Sequence, residues 1–350
     1  MATKGLRCDD DLSGLMLKPY GTFGFIDMLA TLPGRAKGHE FALPKQVIIV
    51  GGNKKLGHIA KKCFLVRIMR NSTSFTWFIT DIDGTLIDDD GNLPERNREA
   101  LQHCRDQGIP VVLATGRRWT TLLRLLDRLH LEDYADYAVL NNGMVINVLR
   151  LRQTLHCESF PKPAFYAALS ALERLNIDPI VLCHDPKGEV DVYHRHPSLM
   201  NGDFLNKNVG HCRYVADFKP LGDLPLVEFI LLGPESELSL AQEAIRHLPL
   251  ETALIRNTFY SGYMLEVTPL GISKCSGALR VGTLLGQNLM DAVAIGDSAN
   301  DLPLLKRVGR SIAVGNASDL VRQTAHETVA NGELAGVAEA VFKHFRPARI

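Results

Sequence analysis

Residues 75–85 read Phe75-Thr76-Trp77-Phe78-Ile79-Thr80-Asp81-Ile82-Asp83-Gly84-Thr85. The first six side chains are uncharged and mostly aromatic or β-branched, which predicts a strand buried on both faces. The carboxylates of Asp81 and Asp83 then lie at the carboxyl end of that strand, where open α/β sheets bind their ligands. Two neighbouring carboxylates repel unless a cation compensates, and together they suit a nucleophile and a proton carrier beside a divalent ion. A turn followed by a helix cap is the alternative interpretation.

Two further predicted strands end in polar residues and glycine. The run 109–114 is followed by Thr115-Gly116-Arg117, whose hydroxyl and free backbone N–H groups suit a phosphate oxygen. The run 137–140 is followed by Asn141-Asn142-Gly143, which also fits a tight turn. Because parallel strands place their carboxyl ends at one edge, these residues are expected close to Asp81.

Near the end of the chain, two more segments supply charged groups. Lys274 opens a predicted helix that runs toward Leu285, and its ammonium suits a site rich in carboxylates and phosphate. The buried run 292–296 predicts a strand that ends in Asp297-Ser298-Ala299-Asn300-Asp301. Oxygen ligands from separate strand ends are the usual way in which proteins hold Mg²⁺.

In this order, the four segments resemble the motifs of the haloacid dehalogenase-like (HAD) hydrolases. Asp81-x-Asp83-Gly84-Thr85-Leu86 is similar to the first motif, and Thr115-Gly116-Arg117 resembles the second. Gly296-Asp297-Ser298-x-Asn300-Asp301 is similar to the fourth motif. Asn142-Gly143 resembles the substrate-facing pair of the Cof-type branch. The resemblance spans residues 75–345 and implies a class IIB phosphatase of this branch.

The resemblance also implies a role for each matching residue. Asp81 attacks phosphorus and forms an aspartyl phosphate, while Asp83 carries the proton. The implied Mg²⁺ ligands are Asp81, Asp297, the backbone carbonyl of Asp83 and, as a ligand or a support, Asp301. Thr115 and Lys274 hold the phosphate oxygens. The other residues implied to bind substrate are Gly84, Thr85, Gly116, Arg117, Asn142, Gly143 and Asn300.

The middle of the chain has a different order of predicted strands and helices from the flanking parts. Strand pairs alternate with helices from about residue 160, beginning with a predicted hairpin of 180–184 and 190–194. We therefore predict an α/β protein: a Rossmann-like parallel-sheet core of residues 75–158 and 270–350, with an inserted α+β cap of residues 159–269. Residues 1–74 lack a sustained period and are expected to form a poorly ordered extension.

Composition and short motifs restrict the expected partners and cellular compartment of the protein. The 350 residues hold 39 basic and 39 acidic side chains, and this neutral balance gives no reason to expect nucleic acid as a partner. Seven scattered cysteines without a C-x-x-C pair indicate free thiols in a reducing compartment. No apolar run reaches transmembrane length, and Asp9-Asp10-Asp11 argues against a leader peptide. We expect a cytoplasmic monomer or homodimer that acts on a small phosphorylated metabolite, with no membrane partner.

Three alternatives remain open from the sequence. A phosphomutase uses the same two carboxylates, Asp81 and Asp83, and returns the phosphoryl group to a sugar. A catalytically inactive binding or regulatory protein shares the fold, although every candidate catalytic side chain is present here. An interaction protein acting through its basic N-terminal segment is the third.

Overall fold

Strand β1 (Trp77–Thr80) lies in the middle of a parallel sheet, and all four of its residues are buried. The computed structural model describes residues 75–197, 201–256 and 262–346. Strand β1 pairs in parallel with the strand of residues 292–296 on one side and with that of 111–114 on the other. The apolar run before Asp81 is therefore the covered central strand that the sequence predicts. The predicted extension 1–74 lies outside the described residues.

The first sheet has eight strands in the order β14-β13-β12-β1-β2-β3-β4-β5. Its first six strands are parallel, and β4 and β5 continue the sheet antiparallel from β3. This antiparallel end is not in the sequence prediction. The strands beside β1 are β2 (Val111–Ala114), β3 (Tyr137–Leu140), β4 (Val145–Val148), β5 (Gln153–Cys157), β12 (Ala292–Gly296), β13 (Arg310–Ala313) and β14 (Glu327–Thr328).

Helices connect the parallel strands and cover both faces of the sheet, as crossover connections require. Ser273 caps the helix that begins at Lys274, and the helix ends before Gly286 in the left-handed conformation, with a φ of 64°. The helices of this part are α1 (Glu95–Asp106), α2 (Trp119–Leu129), α6 (Lys274–Leu285), α7 (Leu302–Leu305), α8 (Asp319–Thr324) and α9 (Gly336–His344).

The second sheet is formed by the middle of the chain and has the order β10-β11-β9-β6-β7-β8. Only the β7–β8 pair is parallel, and the predicted hairpin is confirmed as β6 and β7. Its elements are α3 (Lys162–Arg174), β6 (Ile180–Cys183), β7 (Val192–His194), α4 (Gly202–Lys207), β8 (Cys212–Tyr214), β9 (Leu226–Gly233), α5 (Glu235–Ile245), β10 (Leu250–Arg256) and β11 (Tyr263–Pro269).

Side chains of β9 face both sides of this cap sheet, although a register shift opposite Leu182 and Cys183 interrupts their strict alternation. Phe229 and Leu231 join a buried cluster with helices α3 and α5. Val227 and Ile230 instead join the buried cluster of the first sheet. One face of the cap sheet thus carries its own helices, and the other packs toward the core.

The protein is therefore an α/β protein with a Rossmann-like parallel core and an inserted α+β cap, as the sequence predicts. Within the described ranges, every helix is too short or too polar to cross a lipid bilayer.

Candidate active site

The turn after β1 brings its first carboxylate into a buried position. Asp81 is only 6% exposed, and its Oδ1 accepts a hydrogen bond of 2.8 Å from the backbone N–H of Ile82. Gly84 follows with a φ of 69°, and a Cβ there would lie 3.1 Å from Asp297 Oδ2. A side chain at position 84 would therefore be strained and would crowd Asp297. Glycine is required at position 84 because the turn passes directly over the Asp297 carboxylate.

Three carboxylates from two turns, those after β1 and β12, meet at this edge of the sheet. One ligand atom from each of Asp81, Asp297 and Asp301 lies within 4.8 Å of the other two. Lys274 Nζ lies 3.0 Å from Asp81 Oδ1 and 2.7 Å from Asp301 Oδ1, and its side chain is fully buried. Asp301 also accepts hydrogen bonds from the backbone N–H groups of Asp297 and Ser298, at 3.1 and 3.0 Å. The position of Lys274 is therefore set by acids from two separate strands.

The carboxylates carry more negative charge than one ammonium offsets. Burial raises the pKa of Asp81 well above its ordinary value; Lys274 opposes this shift, while the carboxylates of Asp301 and Asp297 add to it. Burial and the Asp301 carboxylate raise the pKa of Asp297 to about 6. Burial lowers the pKa of Lys274, but Asp301 and Asp81 outweigh it, so the net shift is upward. A buried site with oxygen ligands and excess negative charge suits a hard divalent cation.

Asp83, the second carboxylate of the first turn, points to a different partner. Arg117 Nε donates to Asp83 Oδ2 at 2.7 Å, and a terminal nitrogen of the same guanidinium donates to Asp83 Oδ1 at 2.5 Å. Thr115 Oγ1 accepts a 3.1 Å hydrogen bond from the backbone N–H of Arg117. The second turn is thus folded so that its arginine holds the Asp83 carboxylate in a bidentate ion pair.

These groups open into one cavity of about 440 Å³ between the core and the cap. We call it the catalytic cavity. Its core side is lined by Asp81, Asp83, Thr115, Gly116, Arg117, Arg118, Thr121, Lys274, Asp297, Ser298 and Asn300. Its cap side is lined by Leu182, Phe204, Asn208, Glu228, Ile230, Met264 and Glu266.

Two glutamates of the cap line this cavity: Glu228 is buried, and Glu266 is half-buried. Asn141 Nδ2 donates to Glu228 Oε2 at 3.4 Å, and Asn142 Nδ2 donates to Glu266 Oε2 at 3.2 Å. Both asparagines have positive φ, 45° and 52°, which asparagine adopts more readily than most residues. Burial, with Glu266 next, raises the pKa of Glu228 well above its ordinary value, and burial raises the pKa of Glu266 to about 6.

A second buried contact joins the start of α2 to the cap. The Arg118 guanidinium donates to the carboxylate of Asp191 and to Asn208 Oδ1, and Thr120 Oγ1 donates to Asp191 at 2.5 Å. Burial raises the pKa of Asp191, whereas Arg118 opposes the shift. Arg118 also lines the catalytic cavity. This contact therefore holds the cap against the core beside the cavity.

Four of the predicted substrate-binding residues, Gly84, Thr85, Asn142 and Gly143, do not line the catalytic cavity. Thr85 is fully buried and donates from Oγ1 to Asp297 Oδ1 at 3.0 Å, so it orients a carboxylate. Gly84 accepts from Asn316 Nδ2 at 2.8 Å through its carbonyl. Gly143 packs against the start of α6, where a Cβ would lie 2.2 Å from the Ser273 carbonyl oxygen.

The remaining predicted residues gather around the carboxylates. Thr115, Gly116, Arg117 and Asn300 line the catalytic cavity. Asn142 lies beside it, because its amide bridges Glu266 and Asn300; Asn300 Nδ2 donates to Asn142 Oδ1 at 3.1 Å.

The sequence analysis did not identify Arg118, Asp191, Glu228 or Glu266 as part of the site. Glu228 stands in the middle of the apolar strand β9 and is only 2% exposed. A charged residue at the centre of an apolar run was the available signal, because buried charges require a partner or a function.

The chain belongs to the haloacid dehalogenase-like hydrolases, whose family model matches residues 78–341. Its two-part architecture is shared with solved phosphatases of this superfamily, and the chain is an enzyme of this hydrolase family. The resemblance recognised in the sequence is thereby confirmed.

Relatives and solved structures agree with this membership. The 5-amino-6-(5-phospho-D-ribitylamino)uracil phosphatase YcsE of Bacillus subtilis is 27% identical over 285 residues, which are 78% of this chain and 97% of the relative. A phosphatase of this superfamily from Bacteroides thetaiotaomicron has a TM-score of 0.67 at 21% identity, over 79% of this chain and 97% of that one. A subclass IIB sugar phosphatase has a TM-score of 0.63 at 21% identity, over 77% and 98% of the two chains. The two structures share the fold.

Proposed function

We propose that this chain is a Mg²⁺-dependent phosphatase that hydrolyses a small phosphorylated metabolite through an aspartyl phosphate on Asp81. The observation that carries the proposal is the buried contact of Asp81 with Lys274 at the floor of a cavity that also exposes Asp83. A buried carboxylate held by an ammonium is positioned for attack, and a second, more exposed carboxylate is available for proton transfer.

The first half-reaction forms the covalent intermediate. A carboxylate oxygen of Asp81 forms a bond to phosphorus while the bond from phosphorus to the leaving oxygen breaks. Asp83, in its protonated form, gives its proton to that oxygen, so the leaving group departs as a neutral alcohol. Lys274 and the Thr115 hydroxyl are placed to donate to the phosphoryl oxygens, whose charge grows in the transition state.

The second half-reaction returns the enzyme to its starting state. A water molecule loses a proton to Asp83 as its oxygen bonds to phosphorus. The bond from phosphorus to Asp81 then breaks and releases inorganic phosphate. Asp83 thus ends this step carrying the proton that it donates in the next cycle.

The metal site of this proposal consists of the carboxylates of Asp81, Asp297 and Asp301 and the backbone carbonyl of Asp83. The close approach of the three carboxylate oxygens and the raised pKa of Asp81 support it. A bound Mg²⁺ supplies positive charge that neutralises the acids and the phosphoryl oxygens. Thr85 keeps Asp297 in place through its 3.0 Å hydrogen bond.

The cap side of the cavity supports a leaving group with several hydrogen-bond donors. Glu228 and Glu266 present carboxyl oxygens there, and hydroxyl or amino groups are the natural partners of such oxygens. The named substrate of the Bacillus relative carries its phosphate on a ribityl chain, which has this character. Gly116, Arg117 and Asn300 complete the proposed substrate surroundings, with Asn142 beside them, while Gly84 and Gly143 allow the close packing of their turns. We assign residues 75–158 and 270–350 to the core and 159–269 to the cap, which accords with the strands of the two sheets.

Phosphate release from p-nitrophenyl phosphate tests the proposal. We expect turnover with Mg²⁺, none with excess chelator, and a loss of at least about a thousandfold in Asp81→Asn. The matched control is Asp89→Asn, the same change in the exposed turn that follows, which should keep full activity.

Mass spectrometry of acid-quenched protein gives the second measurement. A peptide carrying one phosphoryl group on Asp81 during turnover supports the covalent intermediate. A phosphorylated Asp81 that releases phosphate only to an added sugar would identify a mutase. A folded wild-type protein that neither turns over nor becomes phosphorylated would identify a binding protein.

A further inference from the structure

A second cavity of about 350 Å³ adjoins the catalytic cavity. It lies between helix α2 of the core and the end of helix α4 of the cap. The two cavities share the lining residues Arg117, Thr121 and Asn208. We call this second cavity the basic branch, because its charged lining residues are Arg117, Arg124, Arg128 and Lys207.

The charged lining residues of the basic branch are all cationic. Four cationic side chains line it, and the described lining residues include no carboxylate. Arg117 is paired with Asp83 in the neighbouring cavity, and Arg128 donates to the carbonyl of Gly91, which orients the guanidinium without neutralising it. Arg124 is exposed and forms no ion pair with a described carboxylate. The branch therefore attracts anions.

The spacing of the lining residues along α2 aligns them on one side of the helix. Thr121, Arg124 and Arg128 follow one another at three and four residues, which places them on one face of the helix. A rise of 1.5 Å per residue carries this face about 10 Å from Thr121 to Arg128. An extended chain of five or six atoms attached to the reacting phosphate covers much of that length.

We propose that the basic branch binds a second anionic group of the substrate, a phosphate or carboxylate at the far end of the leaving group. This inference rests on the proposed phosphatase function and narrows its substrate class to phosphomonoesters with a distal anion. Guanidinium groups bind phosphate oxygens through paired N–H donors, and Arg124 and Arg128 present two such groups. The carboxylate of Glu266 lines the cap side of the neighbouring cavity and would repel an anion there, so the branch is the favourable place for it.

Hexane-1,6-diol monophosphate and hexane-1,6-diol bisphosphate are suitable probes, because they differ only in the distal group. With wild type and Mg²⁺, we expect kcat/KM to be about tenfold higher for the bisphosphate, the effect of one charge-assisted contact. In Arg124→Gln the ratio of the two kcat/KM values should fall toward one. The control Arg246→Gln, which removes an exposed arginine from the cap helix α5 surface, should leave the ratio as in wild type.

Two results would overturn the inference. A wild-type ratio near one, with ready turnover of the monophosphate, would refute the distal site and leave the phosphatase function intact. An equal fall in kcat/KM for both esters in Arg124→Gln would show general electrostatic steering instead.

A binding measurement separates this inference from the proposed function. Calorimetry with both esters in excess chelator needs no turnover. Tighter binding of the bisphosphate to wild type, and loss of that preference in Arg124→Gln, would support the distal site even if neither ester is hydrolysed. Equal binding of the two esters would refute it.

Discussion

Arg117 binds both carboxylate oxygens of Asp83, through Nε at 2.7 Å and a terminal nitrogen at 2.5 Å. Both residues line the catalytic cavity, and each comes from the turn after a neighbouring parallel strand. Since Asp83 is the proposed proton carrier, the arginine holds this group in one orientation. This contact joins the first and second sequence motifs in one functional unit.

The first prediction concerns this contact. Arg117→Gln should lower kcat/KM by about 10- to 100-fold for an alkyl phosphate, because the acid loses its orientation. The loss should be smaller for p-nitrophenyl phosphate, whose leaving group departs without a proton. The control Arg105→Gln changes an exposed arginine of α1 and should affect neither ester. Equal losses on both esters would mean that Arg117 only binds the phosphoryl group.

Lys274 provides a test of the cation site. Lys274→Met leaves Asp81 and Asp301 buried without their ammonium, which should destabilise the protein by about 3 kcal/mol in chelator. Because the variant site is more negative, Mg²⁺ should raise its Tm more than it raises that of wild type. Lys162→Met, which breaks an exposed pair, should leave the free energy of unfolding nearly unchanged. Identical Mg²⁺ shifts in wild type and Lys274→Met would place the cation elsewhere.

Glu266 should make stability depend on pH. Its pKa is raised to about 6 in the folded protein, above the ordinary value of 4.5, so the folded state disfavours the charged form. That penalty is fully present above about pH 6 and disappears as the pH falls toward 4.5. Glu266→Gln should therefore be more stable than wild type at pH 8, by roughly 1–2 kcal/mol, and equal to it near pH 4.5.

Thermal unfolding in chelator at pH 8, 6 and 4.5 measures this difference. Glu251→Gln is the matched control, since Glu251 is exposed on the neighbouring strand β10 and should show no such trend. If Glu266 also contacts the leaving group, the more stable variant should lose activity on its natural substrate. If the Tm difference between Glu266→Gln and wild type does not change with pH, the pKa of Glu266 is not raised in the folded protein.

The sequence was most informative where chemistry is local. Asp81, Thr115 and Asp297 each follow an apolar run directly, so a strand and its functional residue are visible together. Parallel pairing then brings them to one edge, as the register of β1 with β2 and β12 shows. Lys274 was equally visible, because it opens a helix at the predicted residue.

The cap contacts could not be predicted in the same way. Asn141 and Glu228 lie 87 positions apart, and Arg118 and Asp191 lie 73 apart. Such pairs depend on how the cap sheet is placed over the core, which no local pattern encodes. Strand β5 was missed because its residues are exposed or half-buried and form no buried apolar run, whereas β4 is buried but only four residues long.

The buried pair of Arg118 and Asp191 yields the last prediction. Their side chains are 8% and 3% exposed, and the pair joins the core helix α2 to the residue before cap strand β7. Asp191→Ala leaves the buried Arg118 guanidinium without its carboxylate partner. This change should destabilise the protein by about 3 kcal/mol. The exposed acid Asp223 is the control, because Asp223→Ala should change stability by less than about 1 kcal/mol.

A double variant distinguishes a lost charge pair from lost packing. Arg118→Met with Asp191→Leu removes both charges, so it should recover much of the stability lost in Asp191→Ala. Hydrogen exchange of the β7 amides should rise in Asp191→Ala and return toward wild type in the double variant. Its activity should stay low, because Arg118 also lines the catalytic cavity. A double variant no more stable than Asp191→Ala would show that shape, not charge, holds the cap at this point.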